Sequence, residues 1–144
     1  MNVELPERGL LDTNILILRR RLPRGQLRGE LAISSVTLAE LSAGVHMVRD
    51  DGPEAIIERA NRMALLQLVE NEFDPIPFGQ RAARMFGRMS AAVQASGRTP
   101  RHRTADLMIA ATAAVESMPL YTTNPSDFDG LEGLVAIVPV PRPT

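Results

Sequence analysis

Four acidic residues, Asp12, Glu40, Asp106 and Asp127, stand in four separate stretches of the chain, each shortly after an apolar run or in the first turns of a helix. Asp12 closes the short run Gly9-Leu10-Leu11, and Glu40 lies one turn into the helix that follows Leu31-Ala32-Ile33-Ser34. Asp106 is in the first turn of an alanine-rich helix, and Asp127 follows Leu120-Tyr121-Thr122 by five residues. Each has an ordinary structural use: Asp12 as a helix cap, Asp106 as complement to a helix macrodipole, Glu40 as partner to an arginine, Asp127 as a turn residue. Brought together, the four have fewer options. Two unit charges 4 Å apart repel by ~4 kcal/mol at an effective dielectric of 20. Carboxylates sharing one pocket must therefore hold protons or hold a cation. Cysteine is absent and His46 and His102 are the only histidines. We read both as bystanders, so the oxygen donors suit Mg²⁺ or Mn²⁺ rather than Zn²⁺. Such an ion supports phosphodiester hydrolysis, because it lowers the pKa of a water, aligns it and stabilises the leaving oxygen.

The elements that must position these acids alternate. Strands are expected at 9–11, 31–34, 120–122 and 134–138, with an edge strand at Phe73-Asp74-Pro75-Ile76-Pro77, since two prolines cannot serve a central ladder. Helices are expected from a cap near Thr13 or Asn14, from Val36 to about Arg49 behind Ser34 or Ser35, and from Glu54 to Glu70 after the break Asp50-Asp51-Gly52-Pro53. Two more cover Gln80 to Ala95 and Thr104 to Ser117, the last apolar on nearly all sides and so buried. Strands separated by helices give right-handed crossovers, a parallel sheet and a three-layer α/β/α domain. Reactive groups in such sheets lie beyond the carboxyl ends of the strands, where strand order reverses.

At 144 residues the chain fits one domain, 1–144, with its core at about 9–140 and an extended Pro-rich tail at 139–144. Its 44% hydrophobic and 23% charged residues exclude disorder and collagen-like classes. The absence of cysteine excludes disulfides and thiolate chemistry. Met1 to Arg8 lacks the pattern of a signal peptide and no apolar run is long enough to span a bilayer, so a soluble cytoplasmic protein is expected. Every basic side chain other than histidine is an arginine. Arg19, Arg20, Arg21, Arg24 and Arg28 form one cluster, and Arg98, Arg101, His102 and Arg103 a second, against acids at Asp50, Asp51, Glu54 and Glu58 and at Glu70, Glu72 and Asp74. Arginine forks onto phosphate oxygens, so these clusters suit nucleic acid, a solvated helix face or an acidic partner.

Four motifs in order, Leu11-Asp12-Thr13-Asn14, Ser35-Val36-Thr37-Leu38-Ala39-Glu40, Thr104-Ala105-Asp106-Leu107 and Thr122-Thr123-Asn124-Pro125-Ser126-Asp127, resemble the PIN domain, specifically the VapC-type toxin ribonucleases. The resemblance covers residues 9 to 140. It implies a parallel five-stranded sheet, a Mg²⁺- or Mn²⁺-dependent endoribonuclease, a VapB-type antitoxin that blocks the site, and a homodimer formed through helices outside the sheet, with room for a larger toxin–antitoxin assembly. By position, Asp12 and Asp106 resemble the principal metal ligands and Glu40 a third acidic member. Thr13 and Asn14 resemble groups that orient Asp12 or a water, and Thr123 and Asn124 similar supports. Some relatives carry an acid where this chain has Asn124, which leaves the fourth carboxylate to Asp127, with Asp129 behind it. Arg19, Arg20, Arg21, Arg98, Arg101 and Arg103 would then contact RNA or the antitoxin. Alternatives are a PIN-like RNA-processing nuclease without antitoxin and a silent RNA- or protein-binding module. A haloacid-dehalogenase-like phosphohydrolase would want an acid at Asn14 and a lysine, which the chain lacks. A neighbouring gene for a small DNA-binding protein would separate the toxin from the other nucleases.

Overall fold

A computed structural model describes residues 8–23, 25–49 and 51–144. Residues 1–7, Arg24 of the first arginine cluster and Asp50 of the expected break lie outside the described residues. Four parallel strands, β1 (Arg8–Leu11), β2 (Glu30–Ala32), β3 (Leu120–Thr122) and β4 (Ile137–Pro139), form a sheet in the order β2-β1-β3-β4. Strand alternation divides the core in two. Leu10, Leu120 and Ile137 face one layer, where α4 (Gln80–Ala95) and α5 (Thr104–Val115) pack. Leu11, Tyr121 and Val138 face the other, covered by α1 (Thr13–Leu18), α2 (Ser35–His46) and α3 (Pro53–Glu72). Ala110, Ala111 and Ala113 of α5 are wholly buried, and their small side chains let that helix lie close to the sheet and to α4. No helix among the described residues is long and apolar enough to cross a membrane.

Two strand expectations need correction. The fifth strand at 73–77 reduces to one parallel bridge, Ser34 to Ile76, made by Ser35 N–H to the Ile76 carbonyl and Ile76 N–H to the Ile33 carbonyl, 2.9 Å each. Pro75 and Pro77 flank Ile76 and have no N–H, so the ladder cannot extend. The described sheet therefore has four strands rather than five. The last strand begins at Ile137 rather than at Leu134, because Gly130 (φ 96°) and Gly133 (φ 84°) turn the chain and Leu134 N–H closes on the Leu131 carbonyl. The tail stays attached past the sheet. Val140 N–H donates to the Thr122 carbonyl at 2.7 Å, and the Val140 side chain is buried.

Helix ends follow their caps. Asp12 itself caps α1, and the Ser34 side chain accepts from Thr37 N–H to cap α2. α2 stops at His46 and α5 at Val115, each earlier than its apolar pattern suggested. Gly9 meets the ring of Tyr121, since a Cβ at position 9 would lie 2.3 Å from Tyr121 Cε2 and 2.8 Å from Cδ2. Tyr121 packs against β1 only because residue 9 has no side chain.

Candidate active site

Strand order reverses between β1 and β3, and Asp12 stands at that point. Its side chain is 5% exposed. One carboxylate oxygen accepts from Thr13 N–H at 2.9 Å, the other from the Thr122 hydroxyl at 2.8 Å, across 110 residues of sequence. Thr122 in turn accepts from Asn124 N–H at 3.0 Å. Burial outweighs these hydrogen bonds, and with repulsion from Glu40 and Asp127 it raises the Asp12 pKa above the ordinary carboxyl value.

Glu40 reaches the same edge from α2, one turn past the buried Thr37. The Thr13 hydroxyl donates to Glu40 Oε1 at 2.6 Å and also lies 3.1 Å from the Thr37 hydroxyl. Thr13 has one hydroxyl proton, and the charged acceptor takes it, so Thr37 is the donor in the second contact. Asp106, half-buried in the first turn of α5, has its pKa pushed up to about 6 by burial and then by the charges of Asp12, Asp127 and Glu40, with Arg103 opposing. All four acids thus act on one point of the sheet edge. Asp127 lies in a short turn, Pro125–Phe128, and accepts from Arg103 Nη1 at 2.6 Å.

The raised Asp106 pKa sets a pH dependence. The folded protein holds this proton more tightly than the unfolded chain, so the contribution to stability falls as pH rises from 3.8 through about 6. Solvent screening at a half-buried group reduces the loss to about 1 kcal/mol. Melting temperature measured in chelator should fall over that interval, and Asp106→Asn should flatten the profile. Parallel profiles for the two proteins would place the titration elsewhere.

The arginines divide. Arg19 forms a forked pair with Glu72 of α3, 2.6 Å on both arms, and its guanidinium lies 5.5 Å from the Phe73 ring centroid. It braces α1 against α3. Arg98 ties down the Asp127 turn through the Ser126 carbonyl (2.9 Å) and Asp129 (3.1 Å). Asp129 is thereby occupied at the rim. Arg20, Arg21 and Arg101 are exposed. His46 and His102 are exposed too, at the end of α2 and in the turn before α5. Asn14 lines a cleft of about 850 Å³ between α1, α2 and α3 that opens on Asp12, Glu40 and Asp106. Leu16, Ile17, Leu65 and Leu68 supply its apolar wall.

Three site residues escape sequence reasoning. Thr122 rather than Thr123 bonds Asp12, and strand parity alone could have hinted at it. Thr37, one helical turn before Glu40, had a signal that could have found it, the i, i+3 spacing. Arg142 in the tail donates to Asn124 Oδ1, and nothing in the sequence announces that. Thr123 is buried with its hydroxyl lacking any hydrogen-bond partner. Among the described residues, no three acidic or histidine side chains stand close enough in their present rotamers to enclose an ion.

Comparison with known proteins agrees with this architecture. The PIN domain family matches residues 9–134. The chain is 30% identical over 132 residues to Ribonuclease VapC1 of Rickettsia felis, covering 87% of this chain and 91% of the relative. Its fold is similar to that in the VapBC-5 toxin–antitoxin structure from Mycobacterium tuberculosis, with a TM-score of 0.75, 33% identity, and 94% and 99% of the two chains covered. DNA-bound VapBC from Salmonella typhimurium shares the fold at a TM-score of 0.69 and 23% identity, over 92% and 97% of the chains. A sheet edge that gathers Asp12, Glu40, Asp106 and Asp127 at its switch point, with relatives of the VapC type, places this chain in the PIN-domain family.

Proposed function

We propose that this chain is a metal-dependent endoribonuclease that hydrolyses RNA phosphodiester bonds as the toxin of a type II toxin–antitoxin pair. The observation that carries this reading is the convergence of four carboxyl groups from four segments, with the Asp106 pKa raised to about 6 by burial and then by its anionic neighbours. The similarity to Ribonuclease VapC1 supports the activity.

The residues fit a divalent cation. The donors are all oxygen, and beside burial the charges of Asp12, Asp127 and Glu40 raise the Asp106 pKa with only Arg103 opposing, so the pocket has more negative than positive charge. Asp12 and Asp106 would hold it, with Glu40 directly or through water, and Asp127 as the fourth acid. A bound Mg²⁺ or Mn²⁺ supplies an acidified water and neutralises charge on the departing oxygen. The protein's part is positional. Thr13 and Thr122 fix both oxygens of Asp12, Thr13 fixes Glu40, and Arg103 fixes Asp127 while placing a guanidinium beside the pocket. Asn14 is placed to touch substrate or water at the cleft mouth.

The similar structures are toxin–antitoxin complexes, which supports a VapB-type antitoxin as partner. We assign it the apolar cleft between α1 and α3. The exposed Ile56 and Ile57 of α3, 57% and 61% accessible, suit a homodimer contact outside the sheet. The reading is tested by incubating purified protein with total RNA in Mg²⁺ and in chelator and mapping the cut ends. Discrete cuts that need the metal support it; RNA left intact in Mg²⁺, or cut equally in chelator, refutes it.

A further inference from the structure

Residues 75–105 contain no acid and six arginines, whereas the remainder of the chain has 17 acids against ten arginines. A net charge of −1 therefore conceals a strongly positive segment, longer than the acid-free stretch that carries Arg19 to Arg28, on a chain whose remainder is net negative. In the fold this segment is α4 with its connection to α5. It covers the face of the sheet opposite the α1–α3 cleft.

Arg81, Arg84 and Arg88 are spaced three and four apart, so they form one stripe along α4, while Ala82, Met89 and Val93 face the core. All three arginines are exposed. Arg81 donates to the Val115 carbonyl at 3.1 Å, while no carboxylate or carbonyl among the described residues binds Arg84 or Arg88. Beside the stripe Gly87, Ala91 and Ala95 are exposed and small, so no long side chain stands between it and an extended polyanion. α4 is 16 residues long. At 1.5 Å per residue it spans about 24 Å. Its start lies against the far end of α5, and beyond its end Arg98 grips the turn that carries Asp127. Arg101, exposed and without a carboxylate partner among the described residues, lies between α4 and α5, two residues before the Arg103 that bonds Asp127.

We propose that Arg81, Arg84 and Arg88, continued by Arg101, form a phosphate track along α4 that holds the body of an RNA substrate while one segment enters the active site. This rests on the ribonuclease reading and adds the requirement for substrate well beyond the scissile bond. Charge complementarity favours RNA over an acidic protein. Protein interfaces need an apolar centre, and this face offers only methyl groups and glycine between its guanidinium groups. A phosphate backbone needs only positive charge, and arginine forks onto its oxygens.

The test measures binding in the Asp12→Asn background, so that RNA stays whole, with and without Arg84→Gln and Arg88→Gln. The probes are a single-stranded RNA of about 40 nucleotides, one of about six, and polyglutamate, each over a range of salt. For the long RNA, losing two phosphate contacts should flatten the log–log salt slope by about 1.4 and weaken affinity roughly tenfold. The short RNA should lose far less. An unchanged slope for the long RNA overturns the track, as does equal weakening for both RNA lengths or a preference of the stripe for polyglutamate. Cleavage is scored separately on the parent chain. Stripe-dependent binding by a parent that cuts no RNA would remove the nuclease reading and leave the track standing.

Discussion

Asp12→Asn should abolish RNA cleavage while leaving the fold intact or more stable. The amide is nearly isosteric and an asparagine is as good a helix cap as an aspartate, so Thr13 N–H keeps an acceptor. What disappears is a negative charge held in a buried position, where desolvation and the charges of Glu40 and Asp127 already penalise it. One hydrogen bond is weakened, because the Thr122 hydroxyl then faces either a neutral oxygen or an NH₂ group. The relief of repulsion offsets that loss, and melting temperature at pH 7 should stay level or rise. Catalysis has no such compensation. Misplacing a reacting group by about 1 Å can cost about 10²-fold in rate. The drop should exceed about 10³-fold because the cation site fails at the same time. Mg²⁺ should raise the melting temperature of the parent, and that shift should vanish in an Asp12→Asn, Asp106→Asn double variant. Cleavage at parental rate by Asp12→Asn would end the proposed role of this residue, and equal Mg²⁺ shifts in both proteins would place the ion elsewhere.

Gly9→Val should prevent stable folding, and Gly9→Ala should cost about 3 kcal/mol, at the upper end of what overpacking a core normally costs. The cause is local. A methyl group at position 9 would sit 2.3 Å from a ring carbon of Tyr121, and that ring is 3% exposed, with Leu11 and Ile33 in the same core layer. Neither partner can retreat. Gly9 is paired with Leu31 in the β1–β2 ladder, and Tyr121 is paired with both Leu11 and Val138. For a domain of this size 1 kcal/mol moves the melting temperature by about 4 °C, so Gly9→Ala should lower it by about 12 °C. Tyr121→Leu removes the ring atoms that clash, and the double variant should recover part of the loss. A Gly9→Ala protein that melts with the parent would show that the ring has room to move.

Much of this architecture was legible because it depends on periodicity and on residue type at element ends. The alternation of Leu10 with Leu11 and of Leu120 with Tyr121 already encodes a sheet covered on both faces. Asp12 was legible twice over, as a cap and as an acid at a strand end, and it fills both places at once. What stayed hidden depends on distance in three dimensions. The second arginine cluster reads as free positive charge, yet Arg98 and Arg103 are bonded to the turn that carries Asp127, and Arg19 of the first cluster is bonded to Glu72. A sequence shows which charges exist and not which have found partners 24 or 53 residues away. The missing fifth strand has a different origin. Ile76 has strand character, and it pairs once with Ser34, but the prolines on each side stop propagation. Thr122 was passed over in favour of Thr123 because adjacent threonines look alike until the strand decides which hydroxyl points toward Asp12.

Tyr121 is the only tyrosine and the chain has no tryptophan. Ultraviolet emission excited near 280 nm therefore originates from one phenol ring, wedged over Gly9 and bonded through its own backbone carbonyl to the amide of Asp12. The molecule thus contains a native optical probe one residue before Thr122, whose hydroxyl bonds Asp12. A change in that single emission or in its near-ultraviolet dichroism on adding manganese, RNA or a partner protein would register events beside Asp12 without any label.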